Sequence, residues 1–255
     1  MILAVGNDID YVAMAAWSSN RIERHLGLPT TLITDREVET SCFDQVIRVS
    51  PSHQDQMRWF EDIEKSINWQ NHDRCDVFDL SPYDRTLLLD ADYVVCCNNL
   101  LTAVSHDQFW FYDKSLSLPI GNLETFGRHQ HPMSWATVIA FSRDKATEYV
   151  FKVMRMIRDN WQHYRDLYQI DASLYRNDYA LSIALLVVNG HVKLSARPAG
   201  TMFNVLPNQR LRQIDNDVFE VLWKNSTNRW SRQTLSQIDI HAMCKRDLGA
   251  IVAAH

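Results

Sequence analysis

Glycine is scarce in this sequence, with 7 residues among 255, against roughly 7% in an average protein. Neither G-x-G-x-x-G nor G-x-x-x-x-G-K-[ST] occurs. The glycine-rich loops that cradle phosphates in dinucleotide-binding and P-loop proteins are therefore excluded. Cysteine offers no framework either. The five cysteines stand at positions 42, 75, 96, 97 and 244, an odd number with two adjacent and no C-x-x-C pair. That pattern argues against a disulfide scaffold or zinc ribbon and for a reducing, cytoplasmic setting. No apolar run approaches the ~18 residues of a membrane span. The N-terminal apolar run is broken by Asp8 and Asp10 too soon for a signal peptide. Positive charge is not in excess: 26 Lys and Arg face 31 Asp and Glu, for a net charge of −5. A strongly basic nucleic-acid binder is disfavoured on that ground.

What is present is the balance of a soluble globular chain, 46% apolar and 22% charged, long enough to bury a substantial core. Residues 1–5 read as a buried strand, followed by a turn at Gly6-Asn7-Asp8. Ile9, Val12, Ala13, Ala16 and Trp17 recur at helical spacing, and Gly27 with Pro29 closes that helix. Strands are expected at Thr31–Thr34, 45–49, 86–89, 93–95, 109–112 and 137–141. Residues 53–80 read as mixed helix and loop. A long helix is expected from a Ser142 cap to about Tyr168, and another over 178–189, ending at Gly190. Beyond 200 the chain is polar and less periodic. Strand alternating with helix predicts an α/β protein, a single domain over 1–255 with a mainly parallel sheet.

The strongest local signal is Leu87-Leu88-Leu89-Asp90-Ala91-Asp92-Tyr93. A buried strand delivers two carboxylates at its carboxyl end, where ligands bind in open α/β sheets. Alternation puts Asp90 and Asp92 on one side and Ala91 on the other. Paired carboxylates repel unless a cation lies between them, which suits a hard divalent ion that also holds phosphate oxygens. The bland alternative is two solvated acids at a strand end.

Tyr83-Asp84-Arg85-Thr86-Leu87-Leu88-Leu89-Asp90-Ala91-Asp92 resembles the D-x-D segment of GT-A glycosyltransferases, and in particular the glycogenin-like, family 8 group. Three further segments agree in order. Ala4-Val5-Gly6-Asn7-Asp8 with Tyr11 is similar to that group's opening strand and nucleotide-holding turn. Asn177-Asp178 is similar to a later pair near the donor sugar. His241-Ala242-Met243-Cys244-Lys245 resembles its C-terminal H-x-x-x-K segment. The resemblance implies a GT-A-like (Rossmann-like) fold and a nucleotide-sugar donor, a UDP-sugar. Mn2+ or Mg2+ would be held by Asp90, Asp92 and His241. Val5, Gly6, Asn7, Asp8 and Tyr11 would hold the nucleotide, with Tyr11 stacked on uracil. Arg85 would bring charge near the diphosphate, Ala91 would line the site, and Lys245 would offset the departing diphosphate. Asn177 and Asp178 would act at the sugar.

Each residue has a plainer reading: a turn and a core tyrosine for Asn7, Asp8 and Tyr11, a surface charge for Arg85, and helix capping for Asn177 or Asp178. Trp135 stands where the group carries an asparagine facing the sugar, and Thr137 where it carries glycine. His129 and His131 lack a third partner for a metal and read as a solvated loop. The segment holding His241 and Lys245 is polar and short of apolar anchors, so it is expected to be loose until donor binds and then to close over the diphosphate; the bland alternative is a solvated tail. Its truncation before Ile238 should spare the fold but abolish transfer, and Lys245→Ala should lower the rate with little effect on metal.

The expected activity is transfer of a sugar to an acceptor hydroxyl, with retention. The acceptor is open among glycan, protein, small molecule and DNA; the acidic charge gives DNA the least support, and that case would place the chain in a host cytoplasm if viral. Two rivals remain: a nucleotidyltransferase, which would normally show a glycine-rich basic loop, and a non-catalytic nucleotide-sugar-binding module with Trp135 blocking the sugar site.

Overall fold

The apolar runs read from the sequence assemble into one six-stranded sheet. In this computed structural model, which describes residues 1–5, 9–39, 41–50, 56–69, 72–105, 109–118, 120–191 and 201–255, its strands are β1 (Ile2–Ala4), β2 (Thr31–Thr34), β3 (Gln45–Arg48), β6 (Arg85–Asp90), β8 (Trp110–Tyr112) and β13 (Trp135–Ser142). Their order is β3-β2-β1-β6-β13-β8. The first four are mutually parallel, and β13 runs antiparallel to both β6 and β8. The sheet is therefore mainly parallel, as expected. Its central strands carry unbroken apolar runs because both faces are covered. Helix α1 (Tyr11–Leu26) packs on β1, α3 (Leu100–Ser105) on β6 and β13, and α6 (Asn177–Val188) on β13. Asp10 caps α1 by accepting the Ala13 N–H at 3.0 Å, and Gly27 ends it in the left-handed region at φ 62°. Only glycine takes that conformation without strain.

A second sheet of five short strands stands beside the first: β7 (Tyr93–Val94), β9 (Ser115–Ser117), β10 (Gly121–Leu123), β14 (Met202–Val205) and β18 (Ile240–Ala242), ordered β10-β9-β14-β18-β7. β18 lies between β14, to which it is parallel, and β7, to which it is antiparallel. Since β7 begins one residue after Asp92, this sheet carries the end of the chain to the end of β6. The Ala242 N–H donates to the Asp92 carbonyl at 2.9 Å.

Three expectations change. Residues 53–80 were read as mixed helix and loop, but β4 (Gln56–Phe60) and β5 (Lys65–Trp69) form a hairpin there, before a 3-10 turn (His72–Asp76) and the short α2 (Val77–Leu80). The hairpin buries Phe60 and Ile67 and leaves Met57 and Trp59 exposed, and that one-sided pattern is hidden among its polar residues. The long helix divides at Asn160 into α4 (Lys145–Asp159) and α5 (Trp161–Leu167). The Asn160 side-chain amide donates to the Met156 carbonyl at 2.9 Å, competing with the helical ladder. Asp144 caps α4 in place of Ser142, accepting the Thr147 N–H at 2.7 Å.

The polar chain beyond 200 is rich in strands. Besides β14 and β18 it forms an antiparallel meander, β15 (Arg210–Asp215), β16 (Val218–Lys224) and β17 (Trp230–Ser236). This meander buries Leu211, Phe219, Val221 and Leu235 and exposes most of its other residues. Asp217 ties it to α1 through Arg21 at 2.6 Å, His25 at 2.9 Å and Arg24 at 3.1 Å. The last helix, α7 (Lys245–Val252), packs against α1 and β15. One hydrophobic cluster runs through the molecule, from Met1 to Leu248.

Candidate active site

Strand β1 lies beside β6 with Leu3 opposite Asp90, so the carboxyl ends of both strands open together. A cavity of about 460 Å³ lies there. Of the residues singled out in the sequence, Val5, Tyr11, Asp90, Ala91, Asp92, Asn177, Asp178, His241 and Lys245 line it. Gly6, Asn7 and Asp8 lie outside the described residues.

The chain's two ends of this site meet closely. Ligand atoms of Asp90, Asp92 and His241 all lie within 4.8 Å of one another. The His241 Nε2 is 3.5 Å from the Asp92 carboxylate, and its Nδ1 is 3.0 Å from the Asn204 side-chain oxygen on the neighbouring β14. Burial lowers the imidazole pKa, with the Asp90 and Asp178 charges opposing. A neutral ring that donates its Nδ1–H to Asn204 turns the Nε2 lone pair toward the carboxylates. Outer partners of this kind fix the tautomer and orientation of metal-binding histidines.

Three cations neutralise three of the cavity's acids. Arg74 is 1% exposed and forms an ion pair with Asp90, while its second amino group donates to the Thr137 carbonyl at 3.0 Å. The Lys245 ammonium, on the first residue of α7, pairs with Asp92 and donates to the Ala242 carbonyl at 3.2 Å. Burial pulls the Lys245 pKa down to about 7. Arg176 pairs with Asp178 at 2.6 Å, and the other Asp178 oxygen accepts the Ala136 N–H at 2.9 Å. Burial pushes the Asp178 carboxyl up, but Arg176 and the Ala136 N–H more than offset it, and the group stays below the usual carboxylate range. Neither Asn177 nor Asp178 caps α6 with its side chain, because the cap position falls on Arg176. Asn177 is buried and accepts the Tyr175 hydroxyl at 3.0 Å.

Two expected residues do not join the cavity. Arg85 lies at the opposite end of β6 from Asp90, and a six-residue strand separates its ends by about 16 Å. Its guanidinium donates to the Ser142 hydroxyl and the Ala103 carbonyl, both at 3.3 Å. The arginine that serves Asp90 is Arg74, from the 3-10 turn. Trp135 is also turned away: it is buried in β13, and Ala136 and Thr137 line the cavity in its place. The β13–β8 pairing shifts register between Trp135 and Ile139, so the alignment on which that position rested does not hold its facing. The late segment, expected to be loose until donor binds, is buried: Ile240, His241, Ala242, Cys244 and Lys245 are all below 9% exposed.

Residues missed in the sequence are Arg58, Arg74, Arg176 and Asn204. Arg176 stands next to the Asn177-Asp178 pair and could have been noticed there. The other three carry no local signal. His129 and His131 pack ring to ring at 6.1 Å, with Tyr168 at 5.0 Å from His131, in an aromatic group. Among the described residues the one group of three or more candidate metal ligands is Asp90, Asp92 and His241. Among the described residues no helix is long and apolar enough to cross a membrane.

No protein-family model matches this chain, and no curated protein matches it by sequence. Solved structures similar to it include the glycosyltransferase GlyE of Streptococcus pneumoniae TIGR4, at 12% identity and a TM-score of 0.40, covering 72% of this chain and 42% of that one. The chain thus spans less than half the length of the GlyE structure. It is also similar to an active site mutant of LgtC, at 16% identity and a TM-score of 0.46, covering 81% of this chain and 75% of that one. Galactosyltransferase LgtC in complex with donor and acceptor sugar analogs is similar at 16% identity and a TM-score of 0.44, covering 81% and 76%.

Proposed function

We propose that this protein is a metal-dependent glycosyltransferase, moving a sugar from a UDP-sugar to an acceptor hydroxyl. The observation that carries the reading is the convergence of two carboxylates from a strand end with a histidine and a lysine from far later in the chain, in one cavity. Those are the residues whose pattern resembles the family 8 transferases. The donor set of two carboxylates and one neutral imidazole suits Mn2+ or Mg2+. When bound, such an ion supplies positive charge to the departing diphosphate.

The chain's own residues account for the rest. Lining the cavity are four cations, Arg58, Arg74, Arg176 and Lys245, and four carboxylates, Glu61, Asp90, Asp92 and Asp178. With Lys245 protonated, as it is below about pH 7, the described walls are balanced, and a divalent cation would leave them net positive, the sign that attracts a diphosphate. Lys245 supplies a point charge to that group. Tyr11 offers a ring to the base beside Val5 and Ala91. Asp178, held as an anion, offsets positive charge at the anomeric carbon as its bond to the phosphate oxygen breaks and the bond to the acceptor oxygen forms. Both Asp178 oxygens are engaged, which leaves the departing phosphate to take the acceptor's proton. Attack on the face that the phosphate leaves retains the configuration.

The nucleotidyltransferase rival lacks its glycine-rich loop, and the non-catalytic rival needs Trp135 in the sugar site, which that residue does not line. The test is UDP release from a panel of UDP-sugars with Mn2+. Asp92→Asn should lower it by at least about 100-fold, the scale of losing one electrostatic stabiliser of the transition state. An Asp92→Asn variant as active as wild type overturns the reading.

A further inference from the structure

The β4–β5 hairpin is absent from the pattern that suggested the function, yet it supplies much of the cavity wall. Arg58, Trp59, Phe60, Glu61 and Ile67 all line the cavity. Its strands pair with each other and with no other described strand, and an isolated two-stranded hairpin is marginal by itself. It is docked onto the rest of the molecule. Phe60 and Ile67 enter the core, and at the turn the Asp62 carboxylate accepts the Arg246 N–H at 3.0 Å. That N–H is an open donor in the first turn of α7, and Cys244, at the cap position, makes no side-chain capping bond. Asp62 therefore caps α7 from outside the helix, one residue from Lys245.

Arg58 stacks over the Phe60 ring at 5.0 Å on the same strand face. Its guanidinium shares the cavity with Arg176 and Lys245. Burial and the Arg176 charge both lower its pKa, with Tyr11 and Asp178 opposing. A guanidinium pressed into a cavity with other cations gains most from an anion brought between them.

We propose that the hairpin is part of the donor site: Arg58 binds the anionic diphosphate of the nucleotide, and Asp62 is a positioning residue that holds Lys245 toward the same group through α7. The proposal rests on the transferase reading above and extends it to an element which that reading does not use. Arg58 approaches from the hairpin, while Lys245 approaches from the last helix, so the diphosphate is gripped from two segments latched together by Asp62.

The experiment compares binding of UDP and of uridine, each with Mn2+, by calorimetry. Arg58→Gln should weaken UDP about tenfold or more, as expected for losing a charge-assisted contact, with uridine affinity and thermal midpoint unchanged. Arg58→Lys should keep most of the UDP affinity. Asp62→Ala should weaken UDP in the same direction, and Asp62→Asn, which still accepts the Arg246 N–H, should restore it. Equal UDP affinity in wild type and Arg58→Gln, or parallel loss of uridine and UDP, overturns the proposal while leaving the transferase reading in place. A wild-type protein that binds neither UDP nor inorganic pyrophosphate overturns the transferase reading and this proposal together.

Discussion

At the scale of single residues, Asp92 is claimed by several groups of the site at once. It is paired with Lys245, lies 3.5 Å from His241, and is one of three candidate metal ligands. A lysine on the same carboxylate as a cation repels that cation. The sequence predicts Lys245→Ala to have little effect on metal, but this geometry predicts otherwise. Mn2+ affinity without nucleotide should rise roughly tenfold, the effect of removing one charge near a divalent ion at about 1–2 kcal/mol. Turnover of the UDP-sugar should fall, since the diphosphate loses its counter-charge. A Mn2+ titration followed by electron paramagnetic resonance reads the first effect, and unchanged or weaker binding would count against the shared-carboxylate arrangement. Residue by residue, the D-x-D pair was legible because two carboxylates close an apolar strand, but alternation is not what gathers them: β6 ends at Asp90, Asp92 lies in the turn that follows, and Ala91, expected to face away, lines the cavity with both. Arg74 was not legible. Its partner Asp90 is 16 residues away, and nothing local to the 3-10 turn distinguishes an arginine that will be buried from one that will be solvated.

At the scale of elements, β18 and α7 overturn the expectation of a loose segment. β18 is inserted between two strands, and α7 buries Leu248 while Asp247 accepts the Leu211 N–H at 2.8 Å and pairs with Arg210. Truncation before Ile238 would remove an interior strand and a helix. Burial of Ile240 and Leu248 contributes about 1.5–3 kcal/mol for each side chain, against a total stability of about 5–15 kcal/mol for a whole domain. The protein ending at residue 237 should lose cooperative thermal unfolding, as followed by circular dichroism. A sharp transition within about 5 °C of the full chain would show that the segment is dispensable to the fold after all. The segment was misread because Asp239, His241, Lys245 and Asp247 interrupt its apolar residues and look solvated, whereas all four are buried once β18 pairs with β14 and β7. The hairpin over 56–69 was missed for the converse reason: its single buried face is carried by few residues, too few to stand out as a period.

At the scale of the whole molecule, the three aspartates of the site already have protein partners. Asp90 is paired with Arg74, Asp92 with Lys245, and Asp178 with Arg176. Removing a divalent ion therefore leaves no carboxylate of the cluster without a cation. Excess chelator should abolish UDP-sugar turnover, restored by Mn2+, while a single cooperative unfolding transition persists. Collapse of the fold in chelator would mean that the ion is structural.

The sequence alone determined what adjacent residues settle between themselves: the buried parallel strands, the end of α1 at Gly27, and two carboxylates offered at the end of β6. These follow from periodicity, capping and turn chemistry, which act over a few residues. The tertiary structure decided which groups meet. It placed Asn204 behind His241, Arg74 in place of Arg85 beside Asp90, Ala136 in place of Trp135 at the cavity, and a hairpin against the helix that carries Lys245. The physical reason is that strand order and burial set the distances between remote segments, and only those distances determine which cation pairs with which carboxylate.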